Sequence, residues 1–131
     1  MFRELDLDAP VAVESTPSHA CAVNDQVSIT IRNDYSFPVA CTIRFKFAAK
    51  GSRPAIDLFW YDGGIKPPTP EEAEEDKIEL PAEGMMLVGD RGKILAGFHC
   101  DQARIIPERK SREFWGARGA PAPGRLERGR G

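Results

Sequence analysis

Three stretches of this chain alternate apolar and polar residues with a period of two. In the first, Val27, Ile29 and Ile31 alternate with Ser28, Thr30 and Arg32. In the second, Cys41, Ile43, Phe45 and Phe47 alternate with Thr42, Arg44 and Lys46. Successive strand side chains point to opposite faces, so the second stretch predicts a strand with one apolar and one cationic face. In the third, Ile56, Leu58 and Trp60 alternate with Asp57, Phe59 and Tyr61. Both faces of that strand are then partly apolar, which predicts a central place with a neighbour on each side.

Other elements follow from punctuation. Ala9 to Thr16 reads as a short strand after a turn. Met85–Val88 and Lys93–Ala96 flank Gly89-Asp90-Arg91-Gly92, a hairpin with a glycine-rich turn. Arg104 to Ile106 adds an edge strand before Pro107. Lys66-Pro67-Pro68-Thr69-Pro70 is barred from a sheet interior, because its prolines have no N–H to donate. Thr69-Pro70-Glu71-Glu72 predicts a helix start, with Thr69 as N-cap, Pro70 at the first helical position and Glu72 closing a capping box. The acidic residues that follow read as a short helix's solvated first turns, opposing its dipole favourably. Glu108 to Trp115 has room for a helical turn or two.

The resulting fold class is α+β: an open, mostly antiparallel β-sheet of five to six strands with little helix. Such a sheet must bury its apolar face, and this chain supplies little helix to cover it. Helices outside this chain, or another chain, are expected to do so.

Composition fits a soluble globular domain, with 131 residues, 41% hydrophobic and 29% charged. The net charge of -2 gives no reason to expect nucleic acid as a partner. The domain is expected over residues 1–108. Residues 109–131 are a basic Gly/Pro/Arg-rich tail, with seven Arg and Lys against Glu113 and Glu127. Such a tail can be an RNA-binding arm, but its few apolar residues favour a disordered end. Cys21, Cys41 and Cys100 form no CxxC pair and predict reduced thiols. The N-terminal residues show no signal-peptide pattern, and no apolar run approaches a membrane span.

Chemistry-bearing motifs are sparse. No GxGxxG, GxSxG or HExxH occurs. Gly92-Lys93 resembles the end of a phosphate loop, but Leu87 stands where the loop's first glycine is needed. His19, Cys21, His99 and Cys100 are soft ligands with the spacing of ordinary strand residues, and no metal site is expected. Trp60, Tyr61 and Asp62, beside Gly63-Gly64, are the best candidate for a functional surface. Aromatic rings stack on sugar C–H bonds and a carboxylate accepts hydroxyl hydrogen bonds. The competing reading puts Trp60 in the core, Tyr61 at the rim and Asp62 at the start of the turn.

Ser36-Phe37-Pro38-Val39-Ala40 and Arg44-Phe45-Lys46-Phe47, then Ile56-Asp57-Leu58-Phe59-Trp60-Tyr61-Asp62-Gly63-Gly64-Ile65-Lys66-Pro67-Pro68-Thr69-Pro70-Glu71-Glu72, followed by Glu83-Gly84-Met85-Met86-Leu87-Val88-Gly89-Asp90-Arg91-Gly92-Lys93-Ile94-Leu95-Ala96-Gly97 and Arg104-Ile105-Ile106-Pro107-Glu108, resemble the bacterial-type C-terminal domain of the Gfo/Idh/MocA oxidoreductase family. The resemblance spans roughly residues 5 to 108, most of what can fold. It implies an open sheet with helices on one face and often another subunit on the other. It also implies a parent enzyme that moves a hydride between NAD(P) and a sugar, cyclitol or related polyol.

That family's Glu-Lys-Pro lysine has no counterpart here, since Lys66-Pro67 follows Ile65. Neither His19 nor His99 stands where its catalytic histidine would. The chain is therefore expected to have no catalytic or cofactor-binding residue of its own. Its expected partners are an N-terminal nucleotide-binding domain, which would carry the NAD(P), and further copies joined through the sheet face. A non-catalytic assembly or binding module is the rival reading.

Overall fold

The computed structural model describes residues 4–116. The protein is built mostly of antiparallel β-sheet with little helix. It divides into two compact units between Pro67 and Pro68.

In the first unit, β1 (Ala12–Pro17), β4 (Cys41–Phe47) and β5 (Ile56–Asp62) form an antiparallel sheet in the order β1-β4-β5. β2 (Ala20–Asn24) and β3 (Val27–Ile31) form a separate two-stranded ribbon. In the second unit, β6 (Met85–Val88), β7 (Lys93–Ala96) and β8 (Arg104–Ile106) form a second three-stranded sheet. α1 (Glu71–Glu75) and α2 (Glu108–Trp115) complete that unit.

Three expectations are corrected. The single sheet of five to six strands is instead eight strands in three sheets among the described residues. The strand missing from the sequence reading is β2. Its Ala-Cys-Ala-Val-Asn run has too few large side chains to show a period. It forms because the two-residue turn Asp25-Gln26 returns the chain against β3, with Asp25 in the left-handed region at φ 56°. β5 is an edge strand, not a central one, and β4 takes the centre. The apolar residues on both faces of β5 reflect exposure, since Phe59 and Trp60 are both about half exposed. The helical turns expected at Glu108 to Trp115 are present as α2, and residues 117–131 of the basic stretch lie outside the described ones.

The helix start differs as well. Pro70, not Thr69, is the N-cap of α1, and it makes no side-chain cap bond. Glu72 does not close a capping box. Its carboxylate accepts a 2.6 Å hydrogen bond from Lys93 Nζ on β7, with both side chains mostly buried. The acidic run is thus not simply solvated. Glu75 pairs with Arg109 at 2.8 Å, and Asp76 Oδ2 accepts from the Glu108 backbone N–H at 2.8 Å. That last bond satisfies one of the orphan donors at the start of α2.

α1 ends in a Schellman motif. Lys77 N–H donates to Glu74 O and Ile78 N–H to Ala73 O, with Lys77 at φ 55° where glycine is usual. Ile78 then packs against the cluster formed by Ala73, Leu80, Leu95 and Ile106, joined by Met86. This is the core of the second unit. Helix α1 is too short to persist alone and is held by these contacts and the Glu72–Lys93 pair. The first unit has far less. Among its described residues only Phe47, at 5% exposure, is buried.

Leu95→Ala removes a buried branched side chain from a six-residue cluster. It is expected to destabilise the second unit by about 2–5 kcal/mol, read as the loss of protected amides in β6 to β8 by hydrogen exchange. Unchanged protection would contradict this core assignment.

The Lys93 hydrogen bond, with the Glu72 backbone N–H, Lys93 and Lys110 charges adding to it, holds the Glu72 carboxyl below its ordinary value of 4.5. A lowered folded value means that this contribution is present above about pH 4.5 and is lost as pH falls below it. Glu72→Gln is expected to lower the melting temperature at pH 7 and to flatten its decline below pH 4.5. A parallel decline in both proteins would show that the pair contributes nothing.

Candidate functional site

Residues opposed in an antiparallel sheet share a face. The register pairs Val13 with Phe45 and Leu58, Ser15 with Ile43 and Trp60, and Phe47 with Ile56. One face of β1-β4-β5 therefore presents Val13, Ile43, Phe45, Phe47, Ile56, Leu58 and Trp60, with Phe47 buried at one end. Val13 is 54% and Trp60 48% exposed, while Ile43, Phe45 and Leu58 are half-buried. Val11, just before β1, is exposed too.

The opposite face carries the charges. Ala12, Lys46 and Asp57 form one row across it, Glu14, Arg44 and Phe59 the next, and Thr16, Thr42 and Tyr61 a third. Lys46 Nζ donates to Glu14 Oε1 at 2.6 Å, and Arg44 Nη2 to Asp57 Oδ2 at 2.5 Å. Arg44 also lies 3.6 Å from Glu14. The Lys46 hydrogen bond holds the Glu14 carboxyl below its usual range, against the opposing effect of burial. The Asp57 hydrogen bond raises the Arg44 guanidinium.

Arg44 lies over the Phe59 ring, 5.5 Å from its centroid, and Phe59 stacks with Tyr61 at 6.3 Å and 22°. Two acids and two bases thus neutralise one another, so this face has no net field with which to steer a charged ligand.

The three residues singled out in the sequence are divided by the pleat. Trp60 and Asp62 lie on the apolar face and Tyr61 on the charged one. Tyr61's aromatic neighbour is Phe59, two residues away, which the period of two would have indicated. Asp62 starts a turn: its Oδ1 accepts from Gly63 N–H at 2.6 Å, and Ile65 N–H reaches Asp62 O at 3.4 Å. Trp60 is not core, as its exposure shows.

Gly63 has a strict reason to be glycine. It sits at φ 68°, and a Cβ there would lie 2.2 Å from Val39 O and 2.5 Å from the Ala40 backbone. Gly64 has a positive φ of 86° but open space around it. The diglycine therefore lets the end of β5 lie against the approach to β4.

The soft ligands do not converge. His19 precedes β2 and Cys21 lies on it, with the Cys21 thiol donating to His19 O at 3.8 Å. His99 and Cys100 lie in a loop rather than on a strand, with Cys100 at φ 61° and its Sγ 3.5 Å from Met85 Sδ. No cluster of three or more His, Cys, Asp or Glu side chains suited to a metal occurs among the described residues. No helix among them is long and apolar enough to cross a membrane.

What the geometry offers is a surface rather than a reaction centre: a sheet with one self-neutralised face and one exposed apolar face. Comparison with protein-family models, curated proteins and solved structures finds no match to this chain.

Gly63→Ala is expected to destabilise the first unit more than Gly64→Ala. The first adds a backbone clash, whereas the second costs about 1–2 kcal/mol for the left-handed conformation alone. Urea denaturation followed by Trp60 fluorescence in a Trp115→Phe background checks this; equal effects would contradict the packing role of Gly63.

Proposed function

We propose that this chain is the substrate-side and oligomerisation portion of an NAD(P)-dependent oxidoreductase acting on a sugar, cyclitol or related polyol. The observation that carries the assembly half of this reading is the apolar face of β1-β4-β5, which is buried at Phe47 but open toward Val13 and Trp60. Val13 and Trp60 stand about half exposed there, in a unit with one buried described residue. Exposed apolar surface of this kind marks an interaction site in a protein that stays in solution. A second copy of the chain is the occupant the reading assigns to the sheet.

The enzymatic half rests on the sequence resemblance. The Trp60-to-Glu72 string with its proline cluster and the Gly89–Gly92 hairpin are the residues that carry it. In this reading a separate nucleotide-binding domain supplies the dinucleotide and the catalytic lysine. This chain supplies the sheet that fixes copies relative to one another, and a wall near the substrate. Trp60, Tyr61 and Asp62 remain its proposed substrate contacts. With Trp60 and Tyr61 on opposite faces, contact with one substrate would come from the strand's end, where Asp62 turns the chain.

The test is reconstitution. The chain alone is expected not to bind NAD(P) in calorimetric titration. When joined to a nucleotide-binding domain carrying GxGxxG and Glu-Lys-Pro, it is expected to support NAD(P)-dependent oxidation of polyols. Micromolar NAD binding by the chain alone would overturn the division of labour. A defined oligomer whose behaviour is indifferent to any such domain would favour a non-catalytic assembly module.

A further inference from the structure

The β2-β3 ribbon is unsupported. Every residue from 19 to 39 is exposed. Its register places Ala20 opposite Ile31, Ala22 opposite Ile29 and Asn24 opposite Val27, so Ala20, Ala22, Val27, Ile29 and Ile31 share one face. Val27 is 63%, Ile29 49% and Ile31 48% exposed. The return segment adds Tyr35, Phe37 and Val39, which are 80% or more exposed. A two-stranded hairpin is marginally stable alone and needs a surface to lie on.

Such a surface exists on the same unit, in the apolar face of β1-β4-β5. The ribbon does not reach it within its own chain. Only Ser18 and His19 separate β1 from β2. The root is further tied by two hydrogen bonds, Ser18 N–H to Ala40 O at 2.8 Å and Ala40 N–H to Ser18 Oγ at 2.9 Å. The ribbon stands off its own sheet, since residues 19–39 are all exposed. Each chain thus carries an exposed apolar ribbon and a sheet face that is open toward Val13 and Trp60, of comparable strand length.

We infer that residues 19–39 form an exchange arm that packs on the apolar face of β1-β4-β5 in a second copy of this chain. The contact is reciprocal, which closes a two-fold dimer. This inference rests on the assembly reading above and names which segment does the covering. A ribbon of this length has a footprint of about 17 by 10 Å. That is about 170 Å² per surface, so two reciprocal contacts remove about 700 Å² in total, less than the ~1,000 Å² of a stable interface, and the dimer is weak and concentration-dependent.

The experiment uses the full chain with a photo-crosslinking benzoylphenylalanine in place of Ile29, prepared as isotopically heavy and light forms and mixed. Crosslinks joining heavy to light chains, from position 29 into residues 41–47 or 56–62, are expected. The double variant Ile29→Asp, Ile31→Asp, which alters exposed positions only, is expected to weaken self-association by about tenfold or more in sedimentation equilibrium. Trp60→Asp, on the receiving face, is expected to do the same. Crosslinks confined to single chains would overturn the exchange. A dimer that persists at full strength in the Ile29→Asp, Ile31→Asp variant would also overturn the arm while leaving assembly through the sheet standing. A parent chain that never associates would overturn both.

Discussion

A three-stranded sheet has two faces and can satisfy only one of them by itself. In this protein β1-β4-β5 satisfies the charged face internally. Glu14, Arg44, Lys46 and Asp57 alternate in sign between neighbouring strands and bond one another, with Arg44 lying over Phe59. Exposed ion pairs of this kind contribute little stability individually. They do fix the register, because a slip of one residue would turn every charge to the apolar face. The apolar face is satisfied only in part, with Phe47 buried while Val13 and Trp60 stand about half exposed. Hydrophobic burial is the main favourable term in folding, and here part of one face of the sheet and the whole ribbon still expose theirs. The assembly half of the proposed function follows from this imbalance.

The second unit shows the contrasting case. Its sheet has a helix and a loop to cover it, and Ala73, Leu80, Leu95 and Ile106 close a small core. Acids that look like a solvated run are instead tethers: Glu72 to Lys93, Glu75 to Arg109 and Asp76 to the first turn of α2. The same composition that gives a short helix its favourable first turn also clamps that helix to a hairpin and a second helix.

Much of the local structure was legible in the sequence, and the reasons are specific. The Met85–Val88 and Lys93–Ala96 hairpin formed with the expected limits because its glycine-rich turn leaves few alternatives. The period-two run Cys41–Phe47 formed a strand with the expected two faces. Pairing partners were less legible. Apolar residues on both sides of β5 implied a central strand, yet the strand lies at an edge. Amphipathicity reports what a strand can bury, and not whether a neighbour is present. β2 was invisible because it owes its form to β3. The capping box was misplaced because Glu72 had a stronger partner in Lys93, 21 residues away. For the candidate site, the sequence reading grouped side chains by adjacency. The pleat groups them by alternate positions, so Tyr61 belongs with Phe59, and Trp60 with Ile43 and Leu58.

The central proposal is that this chain does not remain alone, because its principal sheet is only partly covered. Sedimentation equilibrium of the intact chain over a wide concentration range tests this most directly. The account predicts a mass that rises with concentration toward at least a dimer, with Trp60 fluorescence, read in a Trp115→Phe variant, shifting to the blue as the ring leaves water. A constant monomer mass at the highest attainable concentration, with Trp60 emission unchanged, would contradict it.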